Sequence, residues 1–164
     1  MTPEGGADPR RLALLDAAFA VFVRYGYRKT SMDEVARAAH LSRQGLYLHF
    51  SSKDELFRAT VEHALDTALA AATAGLRDGA RPIGERLVHA FDEWVGRFAG
   101  MMKGDTADLV EAAGSLIGPL GPAYDKVFID AVARAIASSG LTAAYKRAGI
   151  TTRQLAETLH AAAR

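Results

Sequence analysis

Apolar residues recur at three- and four-residue spacing along most of the chain, which is the periodicity of amphipathic α-helices. The first such pattern is formed by Leu12, Leu15, Phe19 and Phe22. It should end at Gly26, because glycine is the usual residue just past a helix end. No stretch alternates with the two-residue period of a strand, and no segment repeats. We therefore predict an all-α fold.

Two short helices are predicted next, each introduced by a serine that can cap it. Ser31 and Glu34 form a capping box, in which the serine hydroxyl accepts the third helical N–H and the glutamate returns to the serine N–H. Ser42 is a second N-cap, for a brief helix over residues 43–49. Only a few residues around His40 separate the two helices. This spacing is typical of a helix-turn-helix.

The fourth helix should be the longest. It opens with a second capping box, Ser52 and Glu55, and is predicted to end near Gly75. Pro82 suits the first position of the next helix. Later apolar patterns predict three more helices, over residues 105–116, around 128–136 ending near Gly140, and from Thr151 to the last residue, with a hard turn at residues 118–122.

The charge distribution separates the two ends of the chain. The whole chain of 164 residues has a net charge of only +1. Between Arg10 and Lys53, however, eight basic residues stand against three acidic ones, a local net charge of +5. Such asymmetry points to a polyanionic partner for the N-terminal segment.

The third predicted helix has the residues that a DNA-reading helix needs. Arg43 can read guanine and Gln44 can read adenine from the major groove, while Leu46 and Phe50 form an apolar back. Gly45 costs helix propensity but would let the backbone sit close to DNA. The alternative for Gly45 is close packing of the first helix.

Phosphate contacts are predicted around this helix. Tyr47 and His49 can donate hydrogen bonds to phosphate oxygens, and Lys53 lies at a helix N-terminus, which favours anions. Such contacts position a protein on DNA without reading its sequence.

Composition and motifs give no sign of a secreted or membrane protein, an enzyme or a metal-binding protein. The chain has no cysteine, no signal peptide at its N-terminus and no apolar run of the ~18 residues that a membrane span needs, so we expect a cytoplasmic protein without a membrane partner. The sequence contains no nucleophile elbow, P-loop or HExxH motif, so an enzyme is not expected. His89 with Glu85 and Glu93 has helical spacing for a metal, but no second cluster completes a site. We predict neither metal nor cofactor.

The run TSMDEVARAAHLSRQGLYLHFSSKDELF (30–57), preceded by FAVFVRYGYRKTS (19–31), resembles the DNA-binding signature of TetR-type (tetracycline-repressor-like) transcriptional regulators. The resemblance covers about residues 10–57. It implies an all-α homodimer that binds a double-stranded DNA operator through its N-terminal helices and a small effector through its C-terminal helices. The implied domains are a disordered tail (1–9), a helix-turn-helix DNA-binding domain (10–55) and a helical effector-binding and dimerisation domain (56–164).

The resemblance also implies roles for particular residues. The family's positions that contact the DNA backbone correspond to Thr30, Ser31, Tyr47, His49 and Lys53. Its base-reading positions correspond to Arg43, Gln44 and Gly45, with Ser42 as the helix cap. The family usually has glycine in the turn, where this chain has His40, and histidine tolerates a positive φ better than most side chains. The family also closes with two dimer-forming helices, of which this sequence shows only the first, so the final dimer helix is expected to be missing.

An effector pocket is predicted among aromatic and methionine residues of the second domain. Its candidate lining residues are Phe91, Trp94, Phe98, Met101, Met102, Glu111, Tyr124 and Phe128, with Asp92 and Glu93 as further polar candidates. Pockets are mostly apolar with a few placed polar groups, so a largely apolar effector is expected. The alternative is that this aromatic stripe is simply core.

The most concrete function that the sequence predicts is a ligand-responsive transcriptional repressor that a small effector releases from a palindromic operator. One alternative is a helix-turn-helix used as a protein-interaction or architectural module without an effector. Another is a small all-α enzyme or carrier that uses the second domain.

Overall fold

The computed structural model describes residues 8–96, 107–141 and 145–163, and these contain helices and turns without a strand. The all-α prediction is therefore confirmed. In chain order the elements are α1 Pro9–Tyr25, α2 Met32–Ala38, α3 Arg43–His49, α4 Lys53–Arg77, α5 Ile83–Phe91, a π-helical segment Asp92–Gly96, α6 Ala107–Ile117, α7 Leu120–Ser138 and α8 Thr152–Ala162.

The described residues form two compact units. Unit 1 contains residues 8–64 and 107–118, and unit 2 contains residues 65–96, 119–141 and 145–163. Helix α4 contributes residues to both. Unit 1 thus includes α6, which is distant in sequence from the other helices of that unit. The functional boundary predicted near residue 55 stays a prediction.

Local capping explains where the first helices begin. Asp8 caps α1 by accepting from Arg10 N at 3.0 Å, and Pro9 occupies the first turn, where its missing N–H costs nothing. Both halves of the predicted Ser31–Glu34 capping box are present at the start of α2. The two hydrogen bonds from Ser31 to the Glu34 carboxylate lower its pKa, the backbone N–H contributing most. At α3 the Ser42 hydroxyl accepts from Gly45 N at 3.0 Å.

Helix α4 differs from its prediction at both ends. Ser52 Oγ accepts from Glu55 N as expected, but the Glu55 carboxylate returns to the N–H and hydroxyl of Ser51 rather than to Ser52. Gly75 does not end the helix, which continues to Arg77. A Cβ on Gly75 would lie 2.7 Å from His89 Nδ1, so this glycine permits the close approach of α5.

The core of unit 1 joins all five of its helices. Its buried residues come from α1, α2, α3, α4 and α6, with Phe50 just after α3, namely Leu14, Leu15, Ala18, Val21, Phe22, Met32, Val35, Ala36, Leu46, Phe50, Leu56, Phe57, Leu109 and Ala112. The inward face of α1 is rotated slightly from the predicted stripe, because Leu12 and Phe19 are only half-buried. Burying apolar side chains is the main favourable contribution to folding this unit.

The core of unit 2 centres on Phe128, which is fully buried. Trp94 stacks on Phe128 at a centroid distance of 5.2 Å, and Phe91 packs edge-on against it at 5.1 Å. Small residues of α4 and α7 complete the packing, with Ala156 of α8. His160 is also buried, and its Nε2 lies 3.0 Å from Asp125 Oδ1.

Two of the later helices begin or end where the pattern did not predict. Helix α7 starts at Leu120, inside the predicted turn, because Pro122 falls in the first turn, where backbone N–H groups have no intrahelical partner. Helix α8 has a capping box of Thr151 and Gln154, and ends at Ala162. None of the described helices has both the length and the apolar character that crossing a membrane requires.

Replacing Gly26 with alanine should destabilise unit 1. Gly26 has φ 83° and ψ 167°, a region that is essentially restricted to glycine, and an added Cβ would lie 2.5 Å from Asp108 Oδ2. We expect Gly26→Ala to lower the free energy of unfolding by about 1–3 kcal/mol, measured by urea denaturation. Gly114→Ala is the control, because Gly114 is an exposed residue of α6 with open space around it. Equal effects of the two changes would contradict this account.

Candidate nucleic-acid interface

The turn between α2 and α3 is a Schellman motif, which sets the angle at which α3 leaves α2. Leu41 N donates to Ala36 O at 2.8 Å, and His40 N donates to Arg37 O at 3.2 Å. His40 has φ 55°, the left-handed conformation that usually takes glycine. The prediction that histidine adopts the glycine position of this turn is therefore confirmed.

Helix α3 is anchored by its apolar back. Leu46 is fully buried and Phe50, just after the helix, is 1% exposed. The guanidinium of Arg11 covers the Phe50 ring at 4.6 Å from its centroid. Because both ends of this short helix are fixed, by the Ser42 cap and by Phe50, its outer face has a defined orientation in unit 1.

The outer face of α3 combines polar, aromatic and apolar side chains. Arg43, Gln44, Tyr47, Leu48 and His49 are all exposed, and Leu48 is 88% exposed. An exposed leucine between polar neighbours contributes nothing to the core. This face therefore offers hydrogen-bond donors, an acceptor and an apolar group together.

Arg43 is loosely held in the absence of DNA. Its Nη1 lies 3.1 Å from Asp33 Oδ2 of α2, and its guanidinium is 5.7 Å from the Tyr47 ring centroid. Its side chain remains 66% exposed. Exposed ion pairs of this kind contribute about 0–1 kcal/mol, so Arg43 can leave Asp33 for a stronger partner.

Lys53, the first residue of α4, binds the turn between α1 and α2. Its ammonium donates to Tyr27 O at 3.0 Å and to Thr30 O at 3.1 Å, and lies 4.4 Å from the Tyr27 ring centroid. An ammonium has three N–H donors, so one remains after these two bonds. The predicted phosphate contact can use only this third donor.

Tyr27 connects the same turn to α4. Its hydroxyl donates to the Asp54 carboxylate, and its ring packs edge-on against Phe57 at a centroid distance of 4.9 Å. Burial, assisted by the hydrogen bond to Asp54, raises the pKa of Tyr27 to about 12. The phenol therefore stays protonated at neutral pH and remains a donor.

Three hydroxyls that the resemblance places at DNA already have structural partners. Thr30 is buried, and its hydroxyl donates to Gly26 O at 2.6 Å, so its side chain does not reach the surface in this conformation. The hydroxyls of Ser31 and Ser42 serve the caps of α2 and α3. The Thr30 side chain is thus a packing group, whereas Ser31 and Ser42 remain exposed. The DNA contacts of all three residues stay predictions.

Gly45 lies near its own cap rather than near α1. A Cβ there would be 3.2 Å from Ser42 Oγ and 4.0 Å from Leu41 Cβ. No atom of α1 is among these nearest neighbours, so the alternative that Gly45 allows close packing of α1 has no support in the structure.

The described residues among those predicted to line an effector pocket lie in two different units. Phe91 and Trp94 both pack against Phe128 in the core of unit 2, and the Tyr124 hydroxyl donates to Asp66. Glu111 instead belongs to unit 1, where its carboxylate pairs with Arg28. Phe98, Met101 and Met102 lie outside the described residues. Among the described residues, no group of three or more histidines and carboxylates could hold a metal ion.

Two features of the structure near this interface were not predicted from the sequence. Leu48 is part of an apolar run, LYLHF, so its pattern did not distinguish it from core. The second is the connection between α6 and the α1–α2 turn, where Asp108 Oδ2 accepts from Arg28 N at 3.0 Å. These residues are eighty positions apart, and no local signal relates them.

Comparisons with known proteins concern the same segment. Residues 14–60 match the family described as bacterial regulatory proteins, tetR family. Over 62 residues the chain is 44% identical to an uncharacterized HTH-type transcriptional regulator, YfiR, of Bacillus subtilis, covering 38% of this chain and 30% of that protein. Over 70 residues it is 44% identical to the HTH-type transcriptional activator FasR of Mycolicibacterium smegmatis, covering 43% and 32%.

These matches span about a third of the curated relatives' length. A likeness over the whole chain comes from a solved structure, a TetR-like transcriptional regulator from Rhodococcus sp. RHA1. It has a TM-score of 0.61 and 27% sequence identity, and the match covers 99% of this chain and 82% of that one. The predicted fold, a helix-turn-helix followed by a helical domain, is confirmed.

Replacing Lys53 with methionine should destabilise the α1–α2 turn. The change keeps most of the length of the side chain but removes both hydrogen bonds to the turn carbonyls. Because hydrogen bonds to charged groups contribute about 1.5–3 kcal/mol, we expect a loss of that order in the free energy of unfolding. Lys29→Met is the matched control, since Lys29 is exposed in the same turn. A loss of the same size in both variants would show that Lys53 does not hold the turn.

Proposed function

We propose that this chain, whose residues 14–60 match the tetR family of bacterial regulatory proteins, is a ligand-responsive regulator of transcription that binds operator DNA. The observation that carries the proposal is the outer face of α3. It leaves Arg43, Gln44 and Leu48 exposed while Leu46 and Phe50 fix the helix from behind. The named relatives are transcriptional regulators, and we propose no catalytic role for this chain.

Helix α3 would read bases in the major groove. Arginine binds guanine through O6 and N7, and glutamine binds adenine through N6 and N7. Arg43 would exchange Asp33 for a base, and Gly45 would leave room for the backbone to approach the DNA. Tyr47 and His49, with the third N–H of Lys53, would donate to phosphates on either side of the groove. Ser31 would do so only by exchanging its hydroxyl bond to Glu34 for a phosphate.

The arrangement favours a dimer on a two-fold symmetric site. A helix-turn-helix dimer places its two reading helices in successive major grooves, about 34–36 Å apart. One short helix of this kind reads only a few base pairs, so a second copy is needed for a specific operator. The dimer surface is a proposal here, as is location in the bacterial cytoplasm, where operator DNA is found.

Helix α6 offers a route from an effector to the DNA-binding helices. It packs in unit 1, yet the nearest described segments before and after it, which end at Gly96 and begin at Pro119, belong to unit 2. Asp108 accepts from Arg28 N, and Glu111 Oε2 lies 2.6 Å from Arg28 Nη2. A ligand that shifts the segments flanking α6 would therefore act on the α1–α2 turn. We propose release of DNA as the outcome, so that the protein is a repressor.

The first test is fluorescence anisotropy with DNA from upstream of the protein's own gene, with random DNA as competitor, at two salt concentrations. Saturable binding that survives the competitor, at two or four chains per duplex, is expected. If random DNA competes the binding away and the higher salt concentration abolishes it, the protein makes only contacts to the DNA backbone at that site. No binding at low salt would favour the architectural or protein-interaction alternative.

Alanine variants of Arg43 and Gln44 should relax the choice of base. Each bidentate contact contributes about 1–3 kcal/mol of discrimination, so each variant should lose preference at one position of each half-site. Selection from a random DNA library by each variant measures this. Arg58→Ala is the control, because Arg58 is exposed on α4, outside α3. A changed base preference in the Arg58 variant, or none in the other two, would contradict the assignment.

Leu48 should contact the methyl group of a thymine. The methyl group is the apolar feature of the major groove, and Leu48 is one helical turn after Gln44. Replacing operator thymines one by one with deoxyuridine removes only that methyl. We expect roughly fourfold weaker binding at one thymine per half-site, since a buried CH₂ is worth about 0.8 kcal/mol.

A double-mutant cycle makes the Leu48 experiment specific. Leu48→Ala should bind thymine DNA more weakly, but should lose nothing further when the critical thymine is replaced. Equal sensitivity of wild type and variant to the missing methyl would mean that Leu48 does not contact it.

A further inference from the structure

Unit 2 contains a cleft of about 390 Å³ whose described lining is unusually basic. It lies between the last turns of α4, the start of α5 and the second half of α7. The lining residues are Thr73, Leu76, Arg77, Arg86, Ala131, Arg134, Ala135 and Ser138. Three arginines therefore line one cleft, and its described lining includes no acidic residue.

The cationic groups of this cleft are incompletely paired. Arg86 donates through Nη2 to Leu76 O, but its Nε is shielded from solvent and has no hydrogen-bond partner. In the described ranges, no carboxylate forms an ion pair with Arg77 or Arg134. By contrast, the neighbouring Arg81 pairs with Asp78 at 3.1 Å. Leaving a shielded cationic N–H without a partner costs free energy, and an anion close to the guanidinium would offset part of that cost by charge attraction.

Arginines at helix ends can also neutralise the last carbonyls, which carry partial negative charge. Arg86 does this for Leu76 at the end of α4. Within the described residues, Arg77 and Arg134 donate to no helix carbonyl, although each lies near the end of its own helix. Helix capping therefore accounts for one of the three guanidinium groups and leaves two without a structural partner.

The remaining lining defines the size and character of an occupant. Leu76, Ala131 and Ala135 are buried and form an apolar floor. The hydroxyls of Thr73 and Ser138 donate to carbonyls of their own helices, so the free donors of the cleft come from arginine. A volume near 390 Å³ lies at the small end of the range for ligand pockets.

We propose that this cleft binds a small molecule with an oxyanion head group, either phosphate or carboxylate, and a short apolar portion. Arginine forks bind both oxyanions through paired N–H donors. Resting on the function proposed above, this molecule is the effector. Its anionic character differs from the largely apolar effector that the aromatic residues predict.

Calorimetric titration of the full chain tests the site without DNA. Pyrophosphate and glutarate are the two oxyanion probes, pentane-1,5-diol is the neutral analogue of glutarate, and ionic strength is held constant. We expect saturable binding of at least one oxyanion and none of the diol. Which oxyanion binds more tightly identifies the head group. Absence of binding by both would overturn the proposal.

Variants locate the binding in the cleft. Arg77→Gln and Arg134→Gln should each lower the affinity for the oxyanion roughly tenfold, because each loses about 1.4 kcal/mol of charge-assisted hydrogen bonding. Arg81→Gln should change binding less than twofold (roughly), because Arg81 lies outside the cleft lining and is paired with Asp78. All three positions are exposed, so the variants should fold, which circular dichroism checks. Equal weakening in all three variants would mean unspecific attraction and would overturn the proposal.

The operator titration separates this proposal from the proposed function. If the oxyanion binds in the cleft and weakens operator binding in wild type but not in Arg134→Gln, the cleft is the effector site. If the oxyanion binds in the cleft but operator affinity is unchanged, the cleft is a binding site, but the oxyanion is not the effector. Specific operator binding without any oxyanion binding would refute the cleft site and leave the DNA-binding function intact.

Discussion

The α1–α2 turn, residues 26–31, is held from two sides, and the geometry of the DNA-binding helices follows from it. Lys53 of α4 donates to two of its carbonyls, and Asp108 of α6 accepts one of its N–H groups. The turn ends at Ser31, the cap of α2. Helix α2 in turn orients α3 through the Schellman motif at His40. A displacement of this turn would therefore move the helix proposed to read DNA.

This constraint gives several residues a role different from the one suggested by their position near DNA. Lys53 and Thr30 are first of all parts of the turn, since their polar groups bond backbone carbonyls. The proposed contacts to bases are made by Arg43, Gln44 and Leu48, which are exposed and have no role in the core. Residues that hold the DNA-binding helices in position are thus distinct from residues that are proposed to contact the bases. Like α4, α6 lies where the chain passes from one unit to the other, so it is one of the elements through which the proposed signal could travel.

The sequence predicted best what depends on neighbours along the chain. The capping box at Ser31, the cap at Ser42, the bounds of α3 and the left-handed turn at His40 are all local, and all are confirmed. The prediction that Gly75 ends α4 was wrong, because glycine is required there by the close approach of His89 from another helix.

Features that depend on residues distant in sequence could not be predicted. The partners of Lys53, the place of α6 in unit 1 and the arginine-lined cleft all require the tertiary structure. The aromatic residues proposed for a pocket illustrate the same limit, because core packing and pocket lining have the same helical spacing. The exposure of Leu48 is a similar case, since its sequence context resembles that of buried Leu46.

The central claim is that α3 lies in the major groove, and site-directed cleavage measures this directly. The chain has no cysteine, so His49→Cys provides a single thiol at the end of α3 to which an iron chelate can be attached. The account predicts strand cleavage at two positions about 10 base pairs apart on the operator, one for each protomer. Thr158→Cys, exposed on α8, should produce no such pattern. Cleavage from His49→Cys that is as diffuse as that from Thr158→Cys would contradict the account.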